Sequence, residues 1–271
     1  MGFVNRFKSL FSSKSEQLDE QPKEFQDPHR AKMTEAFVER QQSVIDDAMD
    51  ELKYQRMEKS VFIDIENDPN ETGLVGEPYS LITTDEGDLD AKLTTLDPNF
   101  AAVVIDLMYQ LGLKENDTVA ILMTGSMPGA NIAVLTACKA LGLNPVTISS
   151  IGASQWGANQ IDFTWLDMER ILFEKDLILS TSIAASIGGR NDMGRLLSVK
   201  GRNIILDNIK KHNIPLIKKD RLSDNIEERM NFLNKYSSID SYAAVINVGG
   251  GVASLGLSLI HISEPTRPRL I

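Results

Sequence analysis

The run from Thr118 to Ser150 constrains this chain more than any other feature. Thr118 to Met123 (TVAILM) is an apolar strand with no polar alternation. Thr124-Gly125-Ser126-Met127-Pro128-Gly129 breaks it, and Ala130 to Leu141 follows as a helix that stops at Gly142. Pro145 then leads into a second strand, Val146 to Ser150. Strands that are apolar throughout are covered by helices on both faces. Two such strands joined by one helix lie parallel, with a right-handed crossover.

The same alternation continues along the chain. Residues 165–174 (WLDMERILFE) are expected to be helical, and Ile178 to Ile187 to hold a strand. Arg202 to His212 form a helix, Pro215 to Ile217 a short strand, Asp224 to Tyr236 a helix, and Ala243 to Val248 a last strand running into Gly249-Gly250-Gly251. Upstream, Asp97 caps a helix that starts at Pro98 or Asn99 and ends at Leu111, with Gly112 after it. Residues 61–98 are expected to be irregular, because Pro69, Gly73, Gly76 and Pro78 punctuate them. A long helix is expected from Asp27 and Pro28 to Glu58, with Phe37, Val44, Ile45, Ala48 and Leu52 on one face. The fold class is therefore α/β: a Rossmann-like, mostly parallel sheet with flanking helices, plus an N-terminal helix.

Composition narrows the function classes. The net charge of −10 argues against nucleic acid, whose phosphates require Lys and Arg to displace counterions. One cysteine, Cys138, rules out an internal disulfide. No stretch of about 18 apolar residues encodes a membrane-spanning helix. Met1 to Ser12 places Phe3, Val4, Phe7, Leu10 and Phe11 at helical spacing among Arg6, Lys8 and Lys14. Such a segment suits either a membrane-surface helix or an ordinary chain terminus. Residues 13–28 read as a linker.

Four apolar strands end in small polar residues: Thr124-Gly125-Ser126, Ser149-Ser150, Gly188-Gly189 and Asn247-Val248-Gly249-Gly250. Open parallel sheets bind ligands beyond the carboxyl ends of their strands. The four tips are therefore expected to converge on one site. The loop TGSMPGAN offers glycines for close backbone approach and a helix start with free N–H groups. Both suit a carboxylate or phosphate. The alternative is a tight turn in which Ser126 caps the helix. The loop lacks the Lys-Ser/Thr pair of a P-loop and the spacing of G-x-G-x-x-G, so no cofactor is expected. Nor is it a G-x-S-x-G nucleophile elbow.

Ser126 as a nucleophile needs a base. The histidines are His29, His212 and His261, and none falls near an expected strand terminus. Asp167 and Glu169 open a helix, where acidic residues either complement the dipole or serve as an acid/base pair. Trp156 and Trp165 either wall a pocket or fill the core. No His or Cys cluster has metal-ligand spacing, so no metal is expected.

Leu257 to Arg267 (LSLIHISEPTR) resembles a translated sequencing adapter. Residues 257–271 are therefore expected to be foreign and are left out of fold and site reasoning, with the natural sequence continuing beyond Gly256. Three other stretches, DPNETGLVGEPYSLITT, TGSMPGANIAVLTACKALGLNPVTISSIGASQWGANQIDFTWLDME and VINVGGG, resemble the poly-γ-glutamate system protein family. The resemblance spans roughly residues 61–251. Members are found beside bacterial genes for poly-γ-glutamate synthesis and export. They usually begin with a hydrophobic membrane anchor, which this chain lacks. The resemblance implies a pathway, not a reaction.

Three functional expectations follow. The first is an accessory protein of poly-γ-glutamate production that binds a glutamate-like carboxylate ligand. Its ligand-binding residues would be Thr124, Gly125, Ser126, Pro128, Gly129, Asn131, Ser154, Asn159, Gly188, Gly189, Asn247, Gly249 and Gly250. The second is a hydrolase or amide-transfer enzyme acting on γ-glutamyl bonds, for which the sequence offers no evident base. The third is a structural partner of the membrane synthase and export complex, docking through residues 27–58.

Overall fold

A computed structural model describes residues 44–254 and 269–270. The amphipathic segment Met1 to Ser12, the linker, and the start of the long helix lie outside the described residues, as does most of the stretch resembling an adapter.

The described part of the first helix, α1, covers residues 44–58. It buries the expected apolar face through Ile45, Ala48 and Leu52, and extends that face with Arg56. Burying a guanidinium demands partners. Arg56 finds them in backbone carbonyls of a bend in the following irregular segment, donating to Phe62 O (3.2 Å from Nε) and Val75 O (3.1 Å from Nη1). The segment that looked shapeless in sequence is thus pinned to α1.

Two helices precede the sheet: α2 (Leu89–Thr95) and α3 (Pro98–Gln110). The α3 boundaries match the expectation, with Asp97 accepting from Asn99 N as N-cap. Helix α2 falls inside a stretch expected to be irregular. Asp88 caps it by accepting from Ala91 N, and at seven residues it is too short to show an apolar period in sequence.

The core of the fold is a sheet of β1 (Thr118–Thr124), β2 (Asn144–Ser150), β5 (Ala184–Ser186), β6 (Leu216–Ile217), β7 (Ala244–Val248) and β8 (Arg269–Leu270). A separate two-stranded hairpin pairs β3 (Asn159–Gln160) with β4 (Phe163–Thr164). The order in the main sheet is β6-β5-β2-β1-β7-β8, and every pairing is parallel. Helices α4 (Pro128–Ala140), α5 (Trp165–Glu174), α6 (Val199–Lys211) and α7 (Leu222–Tyr236) make the crossovers. Along β1, Val119, Ile121 and Met123 face a core shared with α1, α3, α4 and α5, while Ala120 and Leu122 face one shared with α7. This two-sided burial is the reason β1 shows no polar alternation.

The strand expected within Ile178 to Ile187 is β5, three residues long at Ala184–Ser186. Ser180 and Ser182 spend their hydrogen bonds elsewhere: Ser180 Oγ donates to Pro145 O, and Ser182 N to Glu169 Oε2. The ladder with β2 begins only after them. At the edge of the sheet, Arg269–Leu270 pairs with Ala244–Val245. Without it β7 would be an edge, whose unpaired backbone groups accept any extended segment.

Candidate functional site

Because β5, β2, β1 and β7 are adjacent and parallel, their carboxyl ends lie on one side of the sheet. They open into a cavity of about 930 Å³. Thr124 at the end of β1 and Ser126 after it, Ser150 at the end of β2 and Ser154 after it, Gly188 and Gly189 after β5, and Asn247 near the end of β7 with Gly249 and Gly250 after it all line it. The expected convergence of four strand tips is present.

Five of the expected ligand residues do not line this cavity. Gly125 is where the β1 and β2 loops touch: a Cβ there would sit 2.6 Å from Ile151 O. Pro128 and Gly129 are buried in the first turn of α4, and a Cβ on Gly129 would meet Thr95 O at 2.6 Å. Asn131 is fully buried and donates from Nδ2 to Thr124 O at 2.9 Å, tying α4 to the strand that precedes it. Asn159 is also buried, its amide joined to Glu77 N, Glu77 O and Thr83 Oγ1. These residues hold the loops in place. Sequence showed that they belong to the loop, but not which way they point. Ser126 is not the helix cap either: Met127 occupies that position, and Ser126 Oγ accepts from Ser154 N at 3.0 Å.

The structure adds charged groups that sequence reasoning passed over. Lys92 extends from α2 to the cavity wall and is only 4% exposed. Its Nζ donates to Ser126 O, lies 2.8 Å from Ser154 Oγ and 3.7 Å from Met127 Sδ. All three partners are neutral. Burial disfavours the ammonium and pulls its pKa down to about 8, against the opposing pull of Asp88. Nothing in DEGDLDAKLTT marks this lysine, because its importance comes from loops distant in the chain.

Below the glycine pair after β5 lies a second cluster. Asp192 lines the cavity, yet its carboxylate is buried and matched by Arg229 of α7, whose Nη1 donates to Oδ2 at 2.6 Å. Ser186 Oγ donates to Asp192 Oδ1 at 2.6 Å, and Arg229 Nη2 donates to both Ser186 and Ser150. The ion pair is therefore fully hydrogen-bonded, the condition under which a buried pair is tolerated. The loop that carries Asp192 turns left-handed at Gly188, Gly189, Asn191, Asp192 and Gly194. For Asn191 and Asp192 that conformation costs energy, a pattern that concentrates at functional sites. Arg190, in the same loop, is exposed at the cavity mouth. Asp85, Glu86 and Asp88 also reach the cavity lining, but all three are exposed. Asp85 and Asp88 turn their carboxylates to the backbone N–H groups of Glu86 and Ala91.

The other candidates resolve into structural roles. Asp167 completes a capping box with Thr164 and meets Lys211 (2.6 Å) and His212 (3.0 Å). Burial raises its pKa, but the hydrogen bonds from His212, Lys211 and Thr164 outweigh that and hold it below the ordinary carboxylate range. Glu169 is buried behind β2 and accepts from Ser182 N and Oγ, while burial pushes its pKa up to about 7. Trp165 is core, and Trp156 is partly buried against that same core; neither lines the cavity. Among the described residues, no helix is long and apolar enough to cross a membrane. No protein-family model, curated protein or solved structure matched this chain.

Proposed function

We propose that the strand-tip cavity binds a carboxylate-bearing ligand, a glutamate unit or the end of a γ-linked polymer, as an accessory step of poly-γ-glutamate production. One observation carries the binding reading. The charge of the deep carboxylate, Asp192, is already neutralised by Arg229, whereas Arg190, at the cavity mouth, has no carboxylate hydrogen-bonded to it among the described residues. A guanidinium without a carboxylate partner offers an arriving carboxylate a two-pronged, charge-assisted hydrogen bond. The pathway assignment is supported by the resemblance of residues 61–251.

Calorimetric titration of the full chain with a short γ-linked glutamate oligomer tests this. Gly250 lines the cavity, is exposed, has open space where a Cβ would go, and has no positive φ, so Gly250→Trp sets an indole at the cavity mouth with no backbone strain. The wild type should bind, Arg190→Ala should bind at least about 5-fold more weakly, and Gly250→Trp should not bind while melting as the wild type does. An oligomer that binds the plugged variant equally well, or fails to bind the wild type, refutes the proposal.

A further inference from the structure

We propose that Ser154 is a nucleophile with Lys92 as its general base, and that the cavity cleaves amides of a γ-carboxylate, the γ-glutamyl bond being the type case. This rests on the reading of the cavity as the site of a γ-glutamyl ligand.

A serine hydroxyl attacks a carbonyl only when a positioned base removes its proton. The described histidine, His212, is engaged with Asp167 and does not line the cavity. Lys92 Nζ stands 2.8 Å from Ser154 Oγ, within the reach required of a base, and both residues line the cavity. The surroundings suit a neutral amine. Nζ donates to Ser126 O, Met127 Sδ and Ser154 Oγ; loss of the third of these protons leaves a lone pair facing the Ser154 hydroxyl. Among the described residues no carboxylate is hydrogen-bonded to Nζ to hold a proton on it, and burial brings its pKa to about 8. Ser126 serves as a positioning residue: its carbonyl holds Lys92, and its Oγ accepts from Ser154 N at 3.0 Å, so one residue fixes base and nucleophile together. Arg190, in the loop after β5, two strands from β1, is left to meet the ligand's free carboxylate.

The chemistry balances with water as the co-reactant. Ser154 Oγ gives its proton to Lys92 Nζ and bonds to the amide carbon. The C–N bond breaks, and the leaving nitrogen takes the proton from Nζ, which leaves an ester on Ser154 and a free amine. Water then loses a proton to Nζ and bonds to the ester carbon. Ser154 Oγ leaves with that proton, and a free γ-carboxylate is released.

The probe is γ-glutamyl-p-nitroanilide with the full chain. The wild type should release nitroaniline, and a fluorophosphonate should label the peptide that carries Ser154. Ser154→Ala and Lys92→Met should each slow release at least about 100-fold. Release by the wild type should rise with pH through about 8, where Lys92 loses its proton. The charged groups facing that site are Asp88 on the lysine's own helix, Asp85 and Glu86 in the preceding segment, and Arg190 and Asp192 from the loop after β5. Oligomer binding, measured alongside, separates the two proposals. If the wild type binds oligomer but shows neither nitroaniline release nor labelling, the nucleophile is refuted and the binding site stands. Release undiminished in Ser154→Ala also refutes it. No binding and no release refute both.

Discussion

Replacing Glu169 with Gln should remove a pH dependence from the stability of this protein. Glu169 is 1% exposed, and burial pushes its pKa from an ordinary 4.5 up to about 7 despite two hydrogen bonds from Ser182 that favour the charged form. A carboxyl that holds its proton more tightly when folded contributes stability that is complete below pH 4.5 and is lost as pH rises through about 7. At about 1.4 kcal/mol per pH unit, the loss across that window amounts to roughly 3 kcal/mol. Gln keeps the geometry. Its carbonyl accepts from Ser182 N, and its amide donates to Ser182 Oγ, which remains 2.7 Å from Ser149 Oγ. Urea unfolding of both proteins from about pH 5 to about pH 9 provides the assay. All other titrating groups, Asp167 among them, are common to both and cancel in the difference. The variant should gain on the wild type by roughly 2–3 kcal/mol across the range, the first part of the loss falling below pH 5. Two curves that stay parallel within about 0.5 kcal/mol would show that Glu169 titrates as an ordinary carboxyl, and would refute the assignment of its neutral form to burial.

Two further outcomes are expected. Arg229→Met leaves Asp192 buried without its cation and should cost about 3–5 kcal/mol in denaturant unfolding, with Asp192→Asn in the same chain recovering part of the loss. Gly129→Ala drives a methyl against Thr95 O and should cost about 1–3 kcal/mol, whereas Gly250→Ala, which meets nothing within 4 Å, should stay within about 0.5 kcal/mol of the wild type.

The layered fold was legible wherever local signals were dense. The helix read at residues 165–174 is observed as Trp165–Glu174, and the strand from Thr118 and the helix from Pro98 begin where their caps and apolar runs placed them. Short elements were not legible. Leu89–Thr95 has one capping residue and fewer than two full turns of pattern, so a punctuated stretch concealed it. At the site, small polar residues marked the strand tips correctly. They did not separate Thr124 and Ser126, which line the cavity, from Gly125, Gly129 and Asn131, which support it from behind.

Local pattern is enough to specify a parallel α/β sheet and the positions of its tips, because strand burial, helix period and turn chemistry act over a few neighbouring residues. Which charges meet at those tips is set by long-range packing. Lys92 reaches Ser154 across 62 positions of chain, and Arg229 reaches Asp192 across 37. Such pairings depend on how separate helices are docked onto the sheet. Buried charge also changes its chemistry through desolvation, which is a property of the packed surroundings and is absent from any local stretch of sequence.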